Sequence, residues 1–128
     1  MSLTNAFETS TLKYLLTTDS VTRPTAWYVG LFTSDPTDTG VAGTEVSGSG
    51  YARTSAAFTV TTDTASNSSA IEFPAASGGN WGTIGWIGIM DASSGGNMII
   101  HSALDVAKAI NDGDVFRIPT GDLDITAS

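Results

Sequence analysis

The stretch Trp81-Gly82-Thr83-Ile84-Gly85-Trp86-Ile87-Gly88-Ile89-Met90-Asp91 decides how this chain folds. Its apolar residues alternate by twos, as side chains on a β-strand must. Trp81, Thr83, Ile87 and Ile89 fall on one face, and Ile84, Trp86 and Met90 on the other. Apolar groups on both sides predict a central strand covered on both faces. Glycines at 82, 85 and 88 weaken a strand unless a bulky neighbour lies across the missing side chain, a role suited to the two tryptophans. The core reading makes Trp86 a large buried aromatic. The competing reading is a sugar-stacking platform built from Trp81 or Trp86.

Downstream, Ala92 to Asn97 is a hairpin loop, and Met98 to Leu104 returns beside the central strand. Val106–Ile110 and Val115–Ile118 flank Asn111-Asp112-Gly113-Asp114, a tight-turn signal, and Leu123–Thr126 is a last short strand. Upstream, Ala26–Phe32 is a strong strand, apolar on both faces. Tyr51–Val60 alternates, with Ala52, Thr54, Ala56, Phe58 and Val60 as its more apolar side and Tyr51 and Arg53 on the other. Thr61–Ser68 is a polar connection, and Ala70–Pro74 a short strand closed by its proline. About eight strands separated by turn signals predict an all-β fold, an antiparallel β-sandwich of jelly-roll-like type.

Residues 4–17 are the one helical candidate, with Asn5 as cap and Glu8 as its reciprocal partner. Leu3, Phe7 and Tyr14 group at the helical repeat, widened by Leu12, Leu15 and Leu16. Such a helix either closes the open end of the sandwich or docks onto a larger partner. Residues 33–50 form a long glycine-rich acidic loop, expected to be poorly ordered on a lone monomer and ordered by a neighbour. It carries Asp35, Asp38 and Glu45, without the alternating ligands of an EF-hand loop, so a solvated or subunit-contacting loop is the better reading than a calcium site.

The chain has 128 residues, 5 basic and 13 acidic, for a net charge of −8, with no cysteine. That length predicts one domain, residues 1–128, with room for a real core. The absence of cysteine leaves burial and sheet hydrogen bonds to hold it, helped by self-association. The acidic balance argues against nucleic acid and against an anionic membrane surface. No apolar run is long enough to span a membrane, and the first residues lack the pattern of a signal peptide, so a soluble protein made in the cytoplasm is expected. Asn67-Ser68-Ser69 fits a glycosylation sequon but is better read as a turn.

The chemical inventory is thin. His101 is the single histidine, set within a strand, and no nucleophile elbow accompanies it. Multi-histidine metal sites are excluded. Asp112/Asp114 and Asp122/Asp124 sit in turn sequences, where turn chemistry accounts for them better than glycosidase chemistry. No phosphate-binding loop is present, and no cofactor is expected.

Several further stretches carry a resemblance. They are Leu3-Thr4-Asn5-Ala6-Phe7-Glu8 with Leu15-Leu16, Tyr28 through Pro36, Gly43-Thr44-Glu45-Val46 and Gly50-Tyr51-Ala52-Arg53. Phe73-Pro74-Ala75, Asn80-Trp81-Gly82-Thr83 and Gly113-Asp114 to Ile118-Pro119 complete the set. Together they resemble a family of small tailed-bacteriophage virion proteins, often labelled tail-fibre-like, over about residues 3–126. The resemblance implies a non-enzymatic structural protein of the virion, made in the host bacterium, whose partners are the major capsid protein or tail proteins. A capsid decoration or cement subunit is the leading expectation, and a tail-fibre or tail-tip component the alternative. A homotrimer formed through the helix and the long loop is expected by analogy with such decorations. The candidate partner contacts are Phe7, Tyr14, Asp35, Asp38, Glu45 and Tyr51. The reading from another class is a carbohydrate-binding module using Trp27, Tyr51 or Trp81.

Overall fold

In the computed structural model, which describes residues 2–127, the stretch around Trp86 is strand β7 (Gly82–Met90) at the centre of a five-stranded antiparallel sheet. The described residues hold ten strands and one helix. The large sheet has the order β1 (Ser2–Leu3), β8 (Met98–Ile110), β7, β2 (Tyr28–Phe32), β3 (Thr54–Ser55). A three-stranded sheet is formed by β10 (Asp124–Thr126), β5 (Thr64–Asn67) and β4 (Phe58–Thr61), and a two-stranded one by β6 (Ile71–Glu72) and β9 (Arg117–Ile118). All pairings are antiparallel and the sheets stack as in a sandwich. Their shared core draws Val29, Leu31, Ile71, Ile87, Ile89 and Leu123 into one cluster.

The central strand is indeed covered on both faces, but the facing of its residues differs from simple alternation. Ile84 is fully buried in the main core with Trp81, Ile87 and Ile89, not on the face of Trp86 and Met90. The register explains this. Ile84 pairs with Lys108 and Trp86 with Ala103, so two steps along β7 span five along β8. A bulge of this kind adds residues out of phase and reverses which face follows.

The opposite face is a smaller cluster of Phe32, Met90 and Met98, with Tyr28 and Trp86 partly buried against it. Gly30 and Gly88 face each other across β2 and β7. A Cβ on Gly88 would lie 2.5 Å from Met98 Cε and 3.1 Å from Phe32 Cε1. Phe32 and Met98, rather than the tryptophans, fill the space over this glycine.

Three other expectations change. Tyr51–Val60 is not one strand: it breaks into β3 and β4, which belong to different sheets. Its facing is inverted at the start, because Tyr51 and Arg53 turn inward while Ala52 is exposed. Thr61–Ser68, read as a connection, contains β5, joined to β4 by a tight turn in which Thr62 has φ +58°. Asn67 at the end of β5 is 1% exposed and fully bonded: Nδ2 donates to the carbonyls of Ser69 and Pro119, and Oδ1 accepts from the Leu123 N–H. The sequon asparagine is thus a buried structural amide. The expected strands 98–104 and 106–110 are a single β8.

The long loop is tied to the body within the chain, contrary to its expected disorder. Phe32 bridges Glu45, Thr33 N–H donates to Thr44 O, and Val46 N–H donates to Leu31 O. Pro36 is fully buried, and a Cβ on Gly43 would lie 2.7 Å from the Ser34 carbonyl and 2.8 Å from Pro36. The loop folds back on itself too closely for any side chain at position 43.

Candidate interaction surface

Helix α1 (Asn5–Leu16) has Thr4 in the cap position, not the Asn5 of the expected Asn5–Glu8 box. The Thr4 side chain does not cap the helix. It is buried and donates to the Met98 carbonyl at 2.7 Å, while its backbone N–H donates to Ile99 O. The next amide, Asn5 N–H, donates to Asp38 O. These bonds fix the entry of the helix against β8 and the long loop.

Beyond that anchor the helix stands proud of the body. None of its residues is buried, although Phe7 packs partly on the main core. Leu12, Tyr14, Leu15 and Leu16 are 59, 74, 67 and 76% exposed. At 100° per residue, Asn5, Leu12 and Leu16 point outward, with Lys13 on one flank and Glu8 and Leu15 on the other. The helix does not close the sandwich, because its leucines face away from the core. The segment after it, residues 17–27, has no regular structure and returns along one flank, so that Val21 and Pro24 line a groove with Phe7, Tyr14 and Leu15.

The acidic residues of the loop are separated and used singly. Asp35 Oδ1 accepts from the Thr37 N–H in a local turn. Asp38 lies 2.9 Å from His101 Nε2, with its own side chain 57% exposed. Glu45 receives Tyr51 Oη at 2.6 Å and two bonds from the Arg53 guanidinium at 2.8 Å. Burial first, and then the bond to Glu45, raises the Tyr51 phenol well above its ordinary range, against a smaller lowering by the Leu31 N–H. The bond to Glu45 raises Arg53 as well. Arg53 Nη1 also donates to the carbonyls of Ala92 and Gly95, which binds the β7–β8 hairpin loop to the long loop. No group of three or more ionisable ligands converges among the described residues.

The structure therefore divides the six candidate contacts. Tyr14, Asp35 and Asp38 are exposed; Phe7, Glu45 and Tyr51 are partly buried. Tyr51 and Trp81 are built into the interior: their rings meet edge to face at 5.3 Å, each packs on Phe73, and Trp81 Nε1 donates to Ser49 O. Neither offers a free face to a sugar, and Trp27 is partly buried against the core. The leucine face of α1 was present in the sequence as a hydrophobic pattern, but its outward direction was not legible there.

The chain is thus an antiparallel sandwich-like body with one protruding helix whose leucines are exposed. Residues 2–126 match the family described as podophage GP4 fiber I protein gp80, and the chain belongs to that family. It is a phage virion structural protein of tail-fibre-like type. No curated protein matches the chain. Among the described residues, no helix is long and apolar enough to cross a membrane.

Proposed function

We propose that this chain is a non-enzymatic structural subunit of a phage fibre, held in the virion by contacts with other virion proteins and with copies of itself. The family match over residues 2–126 carries this reading. It favours the fibre over the capsid-decoration position expected from the sequence, since the family is described by a fibre. The internal use of Glu45, Tyr51, Arg53 and Asn67 supports it too, because these polar groups serve the fold. The exposed leucines of α1 supply a contact surface of the kind that assembly needs. The chain self-associates, as a homotrimer on this reading.

Quantitative mass spectrometry and cryo-electron microscopy of purified virions test the proposal. A fibre subunit should be present at about a few dozen copies or fewer, within projecting density. Hundreds of copies spread over the capsid shell would replace the fibre with a decoration. Absence from virions would remove both.

A further inference from the structure

The two flanks of α1 carry opposite charge. On one, Lys13 and Arg23 stand over the groove formed with residues 20–25. Among the described residues neither is ion-paired, in a chain with only five basic residues. The acid on that flank, Asp91, accepts hydrogen bonds from the Asn97 backbone and side-chain amides, so it is turned into its own hairpin. On the other flank a second groove runs between the helix and the small sheet. Its apolar lining includes Leu3, Leu15, Val60 and Ile125, and its charges are Glu8 and Asp63. Val60 there is 71% exposed. Leu15 lines this second groove and also the groove with Val21 and Pro24 described above.

The geometry points to a second copy of this chain as the occupant: the Lys13/Arg23 flank of one copy packs against the Glu8/Asp63 flank of the next. The contact is head to tail, and such contacts close into rings when the rotation allows. In a closed ring Leu12 and Leu16 face the axis. The charge pattern argues for a copy rather than a foreign partner. At −8 per chain, copies repel over most of their surfaces, whereas these flanks attract and are joined by apolar lining. The apolar contacts supply affinity and the charges select the neighbour. This inference rests on the self-association proposed above and names the surface responsible.

The test is light scattering of the purified chain with charge-reversal variants. Wild type should give a multiple of the 13.2 kDa chain mass. K13E/R23E and E8K/D63K should each weaken assembly by about tenfold or more, since like charges then meet. The fourfold variant, carrying both reversals, should recover assembly. That rescue separates contact from helix stability. Glu8 in the first turn and Lys13 in the last also suit the helix dipole, so a purely structural role makes the fourfold variant the worst of the set. Circular dichroism of each variant reports the helix directly. A wild type that stays monomeric at high concentration, or a fourfold variant no better than either double, overturns the inference. A monomer that is still found at fibre copy number in virions would overturn this surface and the self-association while leaving the fibre assignment standing.

Discussion

Arg53 grips Glu45 through two parallel hydrogen bonds, Nε to Oε2 and Nη2 to Oε1, each 2.8 Å long. With the Arg53 side chain only 9% exposed, this pair joins three segments distant in the chain: the long loop, the approach to β3 and the β7–β8 hairpin. A planar guanidinium suits this job, since it reaches a carboxylate and two carbonyls at once.

Replacing Arg53 by alanine should therefore cost about 3 kcal/mol, because it leaves Glu45 partly buried without its cation. Lysine should recover only part of that, as a point charge cannot make the fork. Urea unfolding followed by tryptophan fluorescence measures both. A loss under about 1 kcal/mol would class the pair with ordinary surface ion pairs.

Tyr51 makes the fold sensitive to alkali. Its phenol is raised in the folded state, so the native protein keeps a proton that the unfolded chain releases. The native state then binds more protons than the unfolded one, and stability falls as pH rises. The contribution is whole below the ordinary tyrosine value of about 10 and is lost above it, with a slope of at most about 1.4 kcal/mol per pH unit. Tyr51→Phe should be less stable at pH 8, since Leu31 N–H loses its acceptor, yet should show a flatter decline above pH 10. Parallel declines in the two proteins would refute the assignment.

The tryptophans should differ sharply. Trp81 is 5% exposed amid Tyr51 and Phe73, so Trp81→Ala should cost roughly 3–5 kcal/mol. Trp86 lies partly exposed on the smaller cluster, so Trp86→Ala should cost about 1–2 kcal/mol. Equal losses by denaturant titration would contradict the assignment of faces.

That pair also shows what local sequence reveals. Alternation located β7 and its burial on both sides, because side-chain period follows directly from strand geometry. It misplaced Ile84 because the bulge opposite Gly85 depends on how β8 pairs, which no local pattern encodes. Strand β5 is illegible for a related reason. Thr64-Ala65-Ser66-Asn67 has little apolar content, and its stability comes from pairing on both sides by β4 and β10. The polar tips of Tyr51 and Arg53 suggest solvent, whereas their partners Glu45 and Leu31 lie across the fold. The helix was legible as a helix. That its leucines face outward depends on where the sheets end.

The long loop yields the last prediction. Glycine content and acidity suggest a removable element, whose loss would spare the sandwich and affect only assembly. The structure argues otherwise. Deleting residues 38–48 removes Glu45, which holds Arg53 and Tyr51; Val46, which is 7% exposed in the main core; and the Asp38 carbonyl that receives the first helical amide. It also bares the edge of β2, where Leu31 O accepts from Val46 and Phe32 pairs with Glu45. Losing one buried aliphatic and one partly buried ion-pair partner costs on the order of 5 kcal/mol, comparable to the whole stability of a small domain. The deleted chain should thus lose near-ultraviolet circular dichroism and amide dispersion at 25 °C, rather than remain a folded monomer. Glu45→Gln, which keeps the loop and removes one charge, should stay folded with reduced stability. A deletion variant that retains native dispersion and a cooperative melt would show that the loop is dispensable to the fold, and that its contacts with β2 and Arg53 contribute little.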